Sequence, residues 1–292
     1  MRKFTLVLLC SGLVTTLFAQ KIEVREPQLI KEAGTEAYYP KFTPDGKTIL
    51  LTSVNYAGLK SFDLETKQVK QLTSAQGAGF NTLVSDDSQT VYFQAIDYSE
   101  DPWGRTSFHA YDRKTLKTQR LSSFNNTPVQ QPQTMLRAKS TAQSPVVVYA
   151  NEDLQIVVEK NGRKTVLTPN GASEGYIWAQ LSPDETKIVY TAYTLEKTFI
   201  CDLSGNVITE LGRIHAPQWL NNDWVVGMND LDDGYVVLTS NIVGITANGK
   251  VKQDLTLSSG KIAMYPAISP TGNKIAFNTI EGELYIMDVV VK

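Results

Sequence analysis

Short runs of alternating apolar and polar residues, separated by turn-forming residues, make up most of the chain. The run YPKFTPDGKTILLTS (residues 39–53) is echoed by WAQLSPDETKIVYTA (178–192) and YPAISPTGNKIAFNT (265–279). Each has an apolar residue, then Ser or Thr, a proline, a tight turn, a lysine and a second alternating run rich in β-branched residues. Weaker copies are NTLVSDDSQTVYFQA (81–95), where Asp86 replaces the proline, and APQWLNNDWVVGMN (216–229). A sixth slot is filled by Gln131-Pro132-Gln133 followed by PVVVYA (145–150). Period-two alternation bounded by Gly, Pro, Asn and Asp predicts strands, and helical periodicity is absent.

The segment after each copy also repeats. KSFDLETKQVKQLT (60–73), SFHAYDRKTLKTQRLS (107–122), LQIVVEKNGRKTVLT (154–168), FICDLSGNVITEL (199–211) and NIVGITANGKVKQDLT (241–256) each read as two further strands. Asn161-Gly162, Ser204-Gly205 and Asn248-Gly249 mark hairpins between them. The unit is four short strands of about 45 residues in all, the size of a propeller blade. A lone four-stranded sheet cannot bury both faces, but radial stacking buries them and leaves short, protected edges. The spacing predicts an all-β, six-bladed β-propeller over residues 20–292. The last unit ends after its third strand, and a spare strand at residues 28–31 is placed to complete it. First and last blades would then share one sheet.

Residues 1–19 are expected to be removed. Arg2 and Lys3 precede an uncharged apolar run from Phe4 to Phe18, the layout of a secretory signal peptide. That run is short for a membrane-spanning helix, which needs about 20 residues. Cys10 follows Leu9 rather than a small residue, so a lipidation site is not the reading. Loss of Arg2 and Lys3 takes the formal net charge from −2 to −4. The protein is expected to be periplasmic or secreted, and monomeric. Its acidic balance argues against nucleic acid, which needs a basic field. Cys201 is then the one remaining cysteine, expected as an inert core thiol.

The repeats resemble the blades of the TolB family, with Thr43-Pro44-Asp45-Gly46-Lys47, Ser182-Pro183-Asp184 and Ser269-Pro270-Thr271-Gly272 as the turn and Asp63, Asp112, Asp202 and Asp288 ending the third strand. The resemblance covers nearly the whole chain after the leader. It implies a role in the cell envelope with lipoprotein and inner-membrane protein partners. The family's N-terminal α/β domain is not expected here, since the first blade begins soon after the leader. Similar propellers also precede the hydrolase domain of prolyl-oligopeptidase-type enzymes.

The catalytic inventory is thin. Neither a Gly-x-Ser-x-Gly elbow nor a His-Glu-x-x-His motif occurs. His109 reads as a packed strand residue, and Asp45 and Asp184 as ligands of their own turn backbone. Asp230-Leu231-Asp232-Asp233-Gly234 lacks the bidentate glutamate of a calcium loop and reads as a turn. No metal or cofactor is expected.

The candidate binding residues are those that should surround the channel mouth. Tyr38, Phe80, Tyr176, His215 and Met264 precede the inner strands. Tyr98, Trp103 and Arg105 sit in or beside the longest insertion, on the same face, and Asp232 is near it. Tyr, Trp and Arg are the residue types enriched at binding hot spots. The reading is a non-enzymatic protein-binding propeller, with a small envelope-derived ligand as the other possible occupant. The alternative is a carbohydrate-active or other hydrolase or lyase using carboxylates such as Glu100, Asp101 and Asp232, which would have to face each other about 5–10 Å apart.

Overall fold

A computed structural model describes residues 21–125 and 146–292. The leader and the inner strand expected at residues 131–133 lie outside them.

Two N-terminal strands, β1 (Ile22–Val24) and β2 (Gln28–Leu29), precede the blades. Blade 1 is β3 (Tyr38–Phe42), β4 (Thr48–Thr52), β5 (Leu59–Asp63) and β6 (Val69–Thr73). Blade 2 is β7 (Leu83–Val84), β8 (Thr90–Asp97), β9 (Arg105–Asp112) and β10 (Lys117–Arg120). The described strands of blade 3 are β11 (Val147–Ala150), β12 (Ile156–Lys160) and β13 (Arg163–Leu167). Blade 4 comprises β14 (Tyr176–Leu181), β15 (Lys187–Ala192), β16 (Lys197–Asp202) and β17 (Val207–Gly212). Blade 5 comprises β18 (His215–Trp219), β19 (Trp224–Asp232), β20 (Val237–Thr246) and β21 (Lys252–Asp254). Blade 6 is β22 (Ala263–Ile268), β23 (Lys274–Thr279) and β24 (Leu284–Val291). Every sheet is an antiparallel meander, and the six form a propeller.

Burial follows strand position. Second strands lie between neighbouring blades: β4 is buried at every residue and reads as a continuous apolar run, whereas β8 alternates between buried and partly buried positions. The outermost strands face solvent, and β10 is exposed throughout. The core therefore lies between blades. Ile49 and Phe62 of blade 1 pack with Ala276 and Leu284 of blade 6, and Val189 and Ile200 of blade 4 with Trp219 and Val243 of blade 5.

The ring closes as the spare strand predicts, with one addition. Gln28 and Leu29 pair with Ile286 and Tyr285 of β24. Upstream, Ile22 to Val24 pair with Val291 to Val289, so the outer edge of blade 6 is built from two strand segments. Ile22 is fully buried in the core shared by blades 5 and 6, and Gln253 of blade 5 accepts its backbone N–H at 3.0 Å.

The repeated turn residues act on their own backbone. Asp45 Oδ1 accepts from Thr43 Oγ1 at 2.6 Å and from the Lys47 amide at 3.0 Å. Asp184 Oδ1 takes the same bonds from Ser182 Oγ at 2.6 Å and the Thr186 amide at 3.2 Å. Asp63, Asp112 and Asp202 each accept two backbone amides of the following hairpin. Asp288 lies inside β24 and holds no hairpin. It pairs instead with Lys274 and, at 3.6 Å, with Arg25.

Candidate functional site

Inner strands β3, β14, β18 and β22 each carry one residue in the left-handed region, Tyr39 (φ 51°), Trp178 (53°), Ala216 (46°) and Tyr265 (50°), and Asn81 (50°), just before β7, holds the same place in the repeat. Pairing with the second strand slips there in blades 1, 4, 5 and 6, between Tyr38 and Lys41, Ile177 and Gln180, His215 and Gln218, and Met264 and Ala267. This is a β-bulge, and left-handed non-glycine residues cost about 1–2 kcal/mol each. The bulge re-aims the side chains beyond it. All five left-handed residues line one central cavity of about 350 Å³.

The cavity has an aromatic collar. Tyr39 lies 4.4 Å from Tyr265 and stacks on Tyr56 at 4.3 Å, ring centroid to centroid, and Phe80 meets Tyr56 edge-on at 5.3 Å. Burial, reinforced by the adjacent Tyr39, raises the pKa of the Tyr56 and Tyr265 hydroxyls. Across the rim, Trp178 lies 5.5 Å from the ring of His215, whose Nδ1 is 2.8 Å from Asp230 Oδ1.

Inside the collar the lining turns polar, with Lys41, Asn81, Thr82, Gln180 and Gln218. Lys41 Nζ donates to the Thr82 carbonyl at 2.6 Å and has no carboxylate in reach among the described residues. The side chain is exposed by accessible surface, into the open space of the ring, while protein surrounds it at longer range. Desolvation pulls its pKa down to about 8. Lys41 is the one charged side chain among the described residues lining the cavity.

The residues expected at the mouth are distributed differently. His215 stands at the rim and Phe80 is half-exposed beside Tyr56. Tyr38 leans on blade 6, its hydroxyl donating to the Ile280 carbonyl at 3.4 Å. Tyr176 is a core residue: it is 0% exposed and its hydroxyl bonds Gly171 O at 2.8 Å. Met264 is likewise buried, between blades 5 and 6. The bulge is the reason, because the channel-facing position is one residue later. Tyr98 and Trp103 project from the loop between β8 and β9, with Trp103 91% exposed. Arg105 is clamped by Asp97 at 2.9 Å and Glu100 at 2.6 Å, with Phe124 5.7 Å from its guanidinium. Asp232 pairs with Arg213 at 3.3 Å and accepts the Gly234 amide. Asp101 holds the Trp103 amide, so Glu100, Asp101 and Asp232 are each tied locally.

Away from the mouth, His109 bonds Ser107 Oγ at 2.8 Å and stacks on Phe93, and burial lowers its pKa. Burial pushes the Cys201 thiol up to about 12.

The loops joining second to third strands form one face around the collar. They expose Val54, Tyr98, Trp103, Leu154, Tyr193, Leu195, Tyr235 and Val236. Their charged residues are Glu100, Asp101, Glu152, Asp153, Glu196, Asp233, Glu281 and Glu283, with no lysine, arginine or histidine among them.

Solved structures share this architecture. A protein described as a TolB from Agrobacterium tumefaciens superposes with a TM-score of 0.55 at 15% identity, over 93% of this chain and 99% of that one. The TolB of Acinetobacter baumannii superposes with a TM-score of 0.52 at 19% identity, over 74% of this chain and 53% of that one. The fold is that of a TolB-like six-bladed propeller. This chain thus spans about half of the Acinetobacter TolB. The tricorn protease matches with a TM-score of 0.53 at 12% identity, over 86% of this chain and 25% of that one, so the same propeller also occurs within a protease. No family model matches the chain, and no curated protein matches it in sequence. Among the described residues no helix is long and apolar enough to cross a membrane.

Proposed function

We propose that this is an exported, non-enzymatic propeller of the cell envelope whose loop face docks a protein partner. The observation that carries the reading is the one-sided distribution of exposed apolar residues. In the turns and hairpins of the opposite face Leu116 is the only large exposed hydrophobic among the described residues, whereas the loop face exposes Trp103 and Tyr235 at 91% and 96%. Large exposed aromatic and aliphatic residues gathered on one face mark an interaction surface. Glu100, Glu196 and Glu283 pair with Arg105, Arg213 and Lys261, and the other loop carboxylates favour a partner segment that combines apolar with cationic side chains. Export rests on the charged-then-apolar leader, and the envelope setting on the TolB-like propeller.

Photo-crosslinking residues placed at 103 and 235 should trap one envelope protein, identified by mass spectrometry, while the same probe at 116 traps none. Equal capture from both faces, or none from either, would refute the reading.

A second reading, an enzyme acting at the channel mouth, is favoured by the His215–Asp230 pair beside Trp178. A histidine oriented by a carboxylate is a serviceable general base. Turnover of an envelope saccharide or peptide fraction that disappears in a folded His215→Ala variant would put this reading first.

A further inference from the structure

We propose that the central channel binds a small monocarboxylate with a flat apolar body, the carboxylate held by Lys41 and the body by the aromatic collar. This site lies inside the ring and does not depend on a protein docking outside it.

Among the described residues Lys41 has no carboxylate partner. It uses one of its three donors on the Thr82 carbonyl, which leaves two N–H groups facing the cavity. The side chains of Gln180, Gln218 and Asn81 line the same space and make no hydrogen bond to a described residue. Their amides can donate to a second carboxylate oxygen. With no counter-charge on any described residue of the lining, an entering anion gains a charge-assisted hydrogen bond from the Lys41 ammonium. Above it, Trp178, Tyr39 and Tyr265 supply apolar faces. The volume of about 350 Å³ is at the lower end of ligand pockets, so the ligand is small. The acidic outer loops select against multiply charged anions.

Among the described residues the other titratable groups of the channel are at the rim: the Tyr39, Tyr56 and Tyr265 phenols and the His215–Asp230 pair. Strands β4, β7, β14, β18 and β22 place no other charged side chain in the cavity lining.

Sodium benzoate is the probe and benzamide its uncharged counterpart. Titration calorimetry at low ionic strength should give saturable binding of benzoate with a Kd of about 1 mM, and at least tenfold weaker binding of benzamide. Lys41→Met should weaken benzoate at least about tenfold with an unchanged far-UV spectrum, while Lys187→Met, a turn-face lysine, should bind as the parent does. A second measurement needs no variant. At pH 8 about half of Lys41 is neutral, and pairing with an anion restores its proton. Titrations in two buffers of different ionisation enthalpy should then report uptake of about half a proton per benzoate. Failure to saturate, equal binding of benzamide, full binding by folded Lys41→Met, or no proton uptake at pH 8 would each overturn the proposal.

Discussion

The two faces of this ring are built from the same repeat and use it differently. On the turn face, side chains serve the backbone. Asp45, Asp184, Asp63, Asp112 and Asp202 are engaged by the amides or hydroxyls of their own turns, and neighbouring blades are stitched there by Ser88 on the Asp45 amide and Asn222 on the Asp184 amide, both at 2.9 Å. On the loop face the connections vary in length, and their largest side chains touch little. Trp103 and Tyr235 are almost wholly exposed, although Asp101 and Asp233 still hold the amides of their own loops. Conservation of form on one face frees the other to diverge. That division is how a scaffold carries a site, with recognition on loops held by rigid strands.

The strongest test removes the closure on which both faces depend. Ile22 fills the joint between blades 5 and 6 against Gly244. Ile22→Ala should lower unfolding free energy by about 2–5 kcal/mol in urea titration. A loss below about 1 kcal/mol would show that the upstream strand is not part of the closure. Next in size is recognition itself. Trp103→Ala with Tyr235→Ala should leave stability within about 0.5 kcal/mol, since both rings are exposed, yet weaken the crosslinked partner by about 30-fold in a surface-binding assay. If affinity holds, the apolar residues of the loop face are decoration and the contrast between faces fails.

The turn face should behave in the opposite way. Asp45→Ala deprives Thr43 Oγ1 and the Lys47 amide of their acceptor and should cost about 1 kcal/mol, measured as a lower thermal midpoint, with partner affinity unchanged. Asp112→Ala should lower the thermal midpoint as well, by freeing the Lys114 and Thr115 amides, again with partner affinity unchanged.

The repeat is legible in the sequence because turn chemistry is local. Thr43-Pro44-Asp45-Gly46 and its copies announce a turn within five residues, and the alternating runs beside them announce strands. The closing strand at Gln28–Leu29 can be found by counting blades, whereas Ile22–Val24 cannot, being only three residues with no turn signature. The channel lining differs from expectation by one position. Period-two alternation points Tyr38, Met264 and the residues equivalent to them at the axis, but the left-handed residue next in the chain slips the register and gives the channel to Tyr39, Trp178 and Tyr265. The signal present is the aromatic that opens the copies at Tyr39, Trp178 and Tyr265. Lys41 carries no signal at all. In sequence it is one polar position of an alternating strand, and only ring closure, which brings residue 39 against residue 278, turns it inward.

Lys41 offers the smallest effect and the finest division between faces, because it belongs to neither. Its folded pKa of about 8 lies below the value of about 10.4 expected when unfolded. Between those values the unfolded chain binds more protons than the folded one, so stability rises with pH across that window. Below pH 8 both states are protonated and the whole penalty for the desolvated ammonium applies. Above about pH 10.4 both are neutral and it vanishes. Channel water screens the charge, so the rise should be roughly 1 kcal/mol, well short of what a dry burial would give. Lys41→Met removes the titrating group. Its urea stability relative to the parent should be higher at pH 7 and converge toward it by pH 10.5. Parallel curves over that range would mean that Lys41 is already as well solvated as a surface lysine, and the channel would then be an open water column rather than a site.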